Sequence, residues 1–221
     1  MSAPIPTHFM PSTMDASLVI IFAKAPTPGS VKTRLIPTLG AVSAAMLHAA
    51  LVERALETAT RDDAHDVALC CAPDARENFF LECAEDFEIA LSSQGEGDLG
   101  TRMLRALDAA LIDYDKVVIL GADCPSVTPK DLRAALAALD DHDVALMPAE
   151  DGGYVLIGAR RTVETMFDSI EWGTDQVLSQ QLRQLTHAAL THWQGDMRWD
   201  VDRAEDLARL DSLKPPLAFF R

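Results

Sequence analysis

The sequence predicts one α/β domain: a mostly parallel central sheet with helices on both faces. Three observations lead there. Short apolar runs alternate with stretches of helical periodicity along most of the chain, the pattern of repeated strand–helix units. The runs LVIIFA (18–23) and KVVIL (116–120) are nearly unbroken in apolar residues, as strands covered on both sides must be. Loops rich in Gly and Pro follow the strands. Right-handed crossovers between parallel strands then place helices on both faces.

Taken in order, residues 1–17 hold three prolines and little periodicity and read as a loose leader, with the domain at 18–221. Leu18–Ala23 is the first strand, and Lys24–Arg34 (KAPTPGSVKTR) is a loop. From Ala41 to Thr60, Ala44, Leu47, Leu51 and Ala55 recur at helical spacing. Val67–Cys71 is a second buried strand, and Asp74–Ala84 a helix with Phe80 and Ala84 on one side. Phe87, Ile89 and Leu91 alternate, which suggests a more exposed strand. The loop GEGDLG (95–100) leads to a helix over Thr101–Leu111 and then to the central strand Lys116–Leu120. GADCP (121–125) breaks that strand. Thr128 as N-cap with Pro129 behind it starts a helix that runs to about Leu139. Val144–Met147 and Tyr154–Ile157 are strands around the turn Asp151-Gly152-Gly153. Thr174 is expected to cap a helix reaching about Leu185. A short strand near Leu190–Trp193 and a helix over Ala204–Leu210 follow.

At 221 residues the chain is long enough to bury a core without disulfide or metal staples. Its 34 acidic against 19 basic residues give a formal charge of −15, which argues against a nucleic-acid or anionic-membrane partner. The four cysteines form no C-x-x-C pair, so zinc and redox motifs are disfavoured. Adjacent Cys70 and Cys71 read as buried thiols. No apolar stretch approaches the roughly 20 residues of a bilayer span, and the N-terminus lacks the basic and apolar regions of a signal peptide. A soluble cytoplasmic protein is the expectation; the oligomeric state is left open.

Ligands of such sheets bind outside the carboxyl ends of the strands, so the loops there should converge on one cleft. The first loop carries Lys24, Lys32 and Arg34, suited to phosphate as point charges and fork. Neither G-x-x-x-x-G-K-[ST] nor G-x-G-x-x-G is present, which disfavours a P-loop enzyme and a dehydrogenase. Asp123 follows the strongest strand, where a carboxylate suits Mg²⁺ or Mn²⁺ bridging to substrate phosphates. Asp200 and Asp202 are candidates for a second metal carboxylate, and alternation puts both on one side of an extended segment. Asp98 either bonds a ribose or base or starts the next helix. At Asp151-Gly152-Gly153-Tyr154 a ligand could lie against the backbone, or the glycines form a plain hairpin turn. Trp172 and Thr174 offer an aromatic and a polar helix start. The six histidines show no metal-like spacing, and no nucleophile elbow is visible.

In order, Phe22-Ala23-Lys24-Ala25-Pro26, Gly29, Lys32-Thr33-Arg34-Leu35, Gly97-Asp98-Leu99-Gly100, Gly121-x-Asp123-x-Pro125, Asp151-Gly152-Gly153-Tyr154, Trp172-x-Thr174 and Asp200-x-Asp202-x-x-Glu205-Asp206-Leu207 resemble a bacterial family of GT-A-like nucleotide-diphospho-sugar transferases. Its members are described as glycosyltransferase-like or selenodomain-associated transferases and are related to 2-phospholactate guanylyltransferases. The resemblance spans about 18–210. It implies a Rossmann-like GT-A fold and a bound Mg²⁺ or Mn²⁺ at Asp123 with Asp202 (or Asp200). It further implies nucleotide contacts at Ala23, Lys24, Ala25, Lys32, Arg34 and Asp98. Gly152, Gly153, Trp172 and Thr174 fall on the sugar or acceptor side, with Asp123 and Asp151 in catalysis. This chain departs from a strict Asp-x-Asp pattern, since Cys124 follows Asp123. The implied reaction is glycosyl transfer from a nucleotide-sugar to a small acceptor. Nucleotidyl transfer that releases pyrophosphate is the alternative, and a non-catalytic nucleotide-binding protein a third.

Overall fold

Seven strands form one sheet in the computed structural model, which describes residues 16–61 and 63–217. They are β1 (Ser17–Lys24), β2 (Asp66–Ala72), β3 (Ala90–Ser93), β4 (Lys116–Gly121), β5 (Val144–Pro148), β6 (Tyr154–Ala159) and β7 (His192–Gln194). Their order is β3-β2-β1-β4-β6-β5-β7. All share one direction except β6, which runs antiparallel to both of its neighbours. The expected mostly parallel sheet is therefore present, with one reversed strand supplied by the β5–β6 hairpin. The expected leader lies almost wholly outside the described residues.

The period-2 rule sorts the core. In β1, Val19, Ile21 and Ala23 face one side and Leu18, Ile20 and Phe22 the other. In β4, Val118 and Leu120 oppose Val117 and Ile119 in the same way. The first side is covered by α1 (Ile36–Ala59), α2 (Asn78–Asp86) and α4 (Pro129–Ala138); the second by α3 (Leu99–Ala110) and α5 (Val177–His187). Each fully buried Leu or Ile contributes about 1.5–3 kcal/mol of transfer free energy, so these two layers dominate the stability.

Helix α1 is buried twice. Val52, Ala55 and Leu56 meet the sheet, while Leu47 and Leu51 meet Val201 and Leu210 of the C-terminal segment. One sequence expectation is corrected here: Thr33–Ala59 is, by length and a mean hydropathy of 1.8, apolar enough to cross a membrane. Its apolarity is accounted for by packing on two sides. Gly40, at φ 77, breaks the helix after its first turn, so the regular run begins at Ala41 as the periodicity indicates.

Other boundaries shift for local reasons. Helix α4 carries the expected Thr128 cap, in a full capping box with Asp131. Helix α5 starts at Val177, not at Thr174, whose hydroxyl instead donates to Glu171 O at 2.8 Å. Phe87 ends α2 rather than starting a strand, because α2 runs on to Asp86. The last helix, Ala204–Ser212, is 3-10 throughout.

The topology fixes where a ligand belongs. From β1 the chain winds outward to β2 and β3, then returns through α3 to β4 on the other side of β1. The switch point lies between the carboxyl ends of β1 and β4, the place where open α/β sheets hold ligands. Because β6 is reversed, its first residue, Tyr154, stands at that same edge.

Candidate active site

Asp123 stands two residues beyond β4, at the switch point. Val201 N donates to Asp123 O at 2.9 Å, which ties the 199–202 segment to this turn. The Asp123 side chain is 52% exposed and faces a cavity. Lys32 Nζ lies 2.6 Å from its Oδ1 and also donates to Val201 O at 2.5 Å. Lys32 is buried, and its backbone is left-handed at φ 48, which costs roughly 1–2 kcal/mol for a residue with a Cβ. The ion pair holds it there. On the other side, His48 Nε2 donates to Lys24 O at 2.9 Å. A carbonyl only accepts, so Nε2 carries a proton, and Nδ1 lies 3.4 Å from Asp123 Oδ1, where a second ring proton makes the contact favourable. Desolvation alone would raise the Asp123 carboxyl; the Lys32 ammonium and the His48 ring outweigh it and hold the group below the usual carboxylate range.

Two further carboxylates share the cavity. Asp151 and Asp200 line it with Asp123. Burial, together with the nearby Asp151 charge, pushes the Asp200 carboxyl up to about 6. Asp202 takes a different direction: it pairs with Arg34 at the rim. The two members of the 200/202 pair are thus separated, Asp200 on the cavity wall and Asp202 outside it. The Cys124 thiol also reaches the wall. It donates to Trp199 O at 3.0 Å, and burial pushes it up to about 11, so it remains protonated.

Motifs far apart in sequence close the far wall. Asp151 Oδ1 accepts from Gly153 N at 2.9 Å, and Leu178 N donates to Gly152 O at 2.9 Å, so the β5–β6 turn docks on the start of α5. Gly152 has φ 88, and a Cβ there would run into the Asp175 backbone. Trp172 packs edge-on to Tyr154, with ring centroids 6.4 Å apart. A Cβ on Gly100 would lie 3.0 Å from the Trp172 ring, so a glycine lets α3 approach it. The cavity so enclosed measures about 250 Å³.

Asp123, Asp151, Gly153, Trp172, Thr174 and Asp200 therefore meet around one space. The first-loop residues lie differently. Ala23 and Ala25 are buried in the core, and their polar backbone is engaged: Ala23 O accepts from Gln94 Nε2, and Ala25 N donates to Ala72 O. Their side chains face inward, so a ligand contact through them is not built here. Lys24 is exposed, and the side chain of Arg34 is 61% exposed. Asp98 caps α3 by accepting from Thr101 N at 2.8 Å, the structural one of its two readings. Sequence reasoning missed His48 and Gln94. Gln94 Nε2 donates to Ala23 O and Cys70 O, while its Oε1 accepts from Arg102, which pins the β3–α3 loop beside β1. A lone histidine on an apolar helix and a lone glutamine in a polar loop carry no spacing signal.

Carboxylate oxygens are the donor type that Mg²⁺ and Mn²⁺ take. Among the described residues no three such groups close into a ready cage. Mg²⁺ needs none, since one or two carboxylates with waters and substrate phosphates hold it. The donor set fits such an ion.

Residues 55–174 match the family DUF2064, described as an uncharacterized protein conserved in bacteria. Among solved structures, one from Desulfovibrio desulfuricans G20, described as a "putative nucleotide-diphospho-sugar transferase", is 34% identical over 86% of this chain and 84% of its own, with a TM-score of 0.78. The 4-diphosphocytidyl-2C-methyl-D-erythritol synthase of Anaerococcus prevotii is 10% identical, covering 90% and 97%, with a TM-score of 0.60. The inositol-1-phosphate CTP transferase of T. maritima is 14% identical, covering 87% and 92%, also at 0.60. These last two share the fold. No curated protein matches the sequence.

Proposed function

The chain belongs to the bacterial family DUF2064, and from that membership and the cleft we propose a divalent-metal-dependent transferase that moves a sugar from a nucleotide-diphospho-sugar to a small acceptor. The observation that carries this reading is the convergence of Asp123, Asp151 and Asp200 on one cavity at the switch point, with exposed Lys24 at the end of β1 and exposed Arg34 on the segment that follows. Lys24 and Arg34 bind the diphosphate. Asp123 and Asp200 hold the metal; when bound, it neutralises charge on the leaving diphosphate. Lys32 and His48 orient Asp123 and keep it ionised. Asp151, at the rim, is the general base. The acceptor hydroxyl oxygen bonds to the anomeric carbon, the bond from that carbon to the diphosphate oxygen breaks, and its electron pair leaves with the nucleoside diphosphate. The acceptor proton passes to Asp151.

The fold shared with the inositol-1-phosphate CTP transferase of T. maritima supports a second reading, nucleotidyl transfer with pyrophosphate as the leaving group. Product analysis separates the two. Incubation of purified protein with nucleotide-sugars or nucleoside triphosphates, Mn²⁺ and an acceptor pool should release a nucleoside diphosphate from a nucleotide-sugar, and Asp123→Asn should abolish that release. Pyrophosphate from a triphosphate would establish the second reading instead. Undiminished turnover by Asp123→Asn would remove Asp123 from the chemistry.

A further inference from the structure

We propose that the cavity between β4, β6 and the starts of α3 and α5 takes an acceptor with an apolar body and no negative charge, and that it excludes anionic acceptors such as sugar phosphates. The role of acceptor rests on the transferase reading; the chemistry of the pocket does not. Two observations carry the inference. The inner wall is apolar and aromatic: Phe22, Met103, Ile119, Ile157, Tyr154 and Trp172 surround the space. The polar groups at its mouth are Asp123, Asp151, Asp200 and Thr174, and among the described residues that line it none is Lys or Arg. A phosphate or carboxylate placed there would meet like charge from Asp151, and from Asp123 and Asp200 while no metal is bound to them, and would find no lysine or arginine on the wall. A hydroxyl at the end of an apolar body meets carboxylate acceptors at the mouth and apolar carbon within.

The nearby cations lie off that wall. Lys24 ends β1, Arg34, on the segment that follows, pairs with Asp202, and Lys32 is held against Asp123 and Val201 O. The chamber over β4 and β6 is thus acidic at its mouth and apolar within. At about 250 Å³ the chamber falls below the roughly 300–1,000 Å³ of pockets for drug-sized ligands, so the acceptor is small.

The test is a calorimetric titration of the full chain with benzyl alcohol, benzoate and glycerol, and separately with UDP, GDP and CDP in the presence of Mn²⁺. Benzyl alcohol is expected to bind at least tenfold more tightly than benzoate or glycerol. Leu99→Lys puts a cation on the wall at a position already 36% exposed, and should weaken benzyl alcohol while admitting benzoate. Equal or tighter binding of benzoate to the unaltered protein, or no binding of benzyl alcohol, overturns the proposal. Nucleotide binding without a preference for benzyl alcohol defeats the pocket assignment and leaves the transferase reading in place. A preference for benzyl alcohol without nucleotide binding upholds the pocket chemistry and defeats the transferase reading.

Discussion

At the scale of single residues, charge decides. Asp200 is raised to about 6 because its burial and the Asp151 charge both disfavour ionisation. An unfolded aspartate ionises near pH 4, so folding costs free energy for this group as pH rises from about 4 to about 6, and the full cost persists above that. Asp200→Asn should therefore stabilise the metal-free protein at pH 8, by on the order of 1 kcal/mol after solvent screening. The gain should vanish below about pH 4. Thermal melts in EDTA across that range check the sign. Lys32 makes the opposite case. Lys32→Met leaves Asp123 beside His48 without its ammonium and should destabilise by about 1–3 kcal/mol. Added Mn²⁺ should recover part of the loss, because an ion can replace the missing charge; equal loss with and without Mn²⁺ would contradict the assignment. None of this pairing was legible in the sequence, where position 32 lies 91 residues before Asp123 and reads as a free phosphate ligand. Contact across that separation is set by the topology of β1 and β4.

At the scale of elements, the hairpin turn and α5 act together. Gly152 accepts no Cβ: its φ is positive and the Asp175 backbone lies against it. Gly152→Ala should cost about 1–3 kcal/mol and loosen the far wall of the cavity, seen as a lower melting temperature and altered Trp fluorescence. A second element-level bond joins the start of β5 to β7. Asp143 accepts from Arg161 at 2.7 and 3.0 Å and from Thr191 N and Oγ1, each at 2.9 Å. The Arg161 bond, with help from Thr191, holds its carboxyl below the usual range against the cost of burial. Its stabilisation is present above about pH 4 and is lost as pH falls below that. Asp143→Asn should flatten the acid limb of the stability profile, and an unchanged limb would show that the pair contributes nothing. Element positions were readable because β1, β4 and α4 obey period and capping rules. The start of α5 was not, because the Thr174 hydroxyl donates to Glu171 O and accepts from Gln176 N, building a turn that delays the helix to Val177.

At the scale of the whole molecule, the sheet order turns scattered motifs into one cleft. The alternation of strands and helices announced the parallel sheet. The reversed β6 was hidden, since a short apolar strand carries no direction in its composition, yet that reversal brings the Asp151 turn to the same edge as Asp123. Likewise both Asp200 and Asp202 were candidates on an extended segment, and only packing against the β4 turn separates them. The proposed function stands or falls with a metal-dependent nucleotide site built on Asp123. The most direct test is a thermal-shift panel of UTP, GTP, CTP, ATP and their diphospho-sugars, with and without Mn²⁺, on the unaltered protein and on Asp123→Asn. A ligand at about 100 times its Kd adds about 2.7 kcal/mol, or roughly 5–10 °C for a chain of this size. A shift of that size is expected from one nucleotide-sugar, dependent on Mn²⁺ and absent in Asp123→Asn. Shifts that ignore the metal, or that survive in Asp123→Asn, would contradict it.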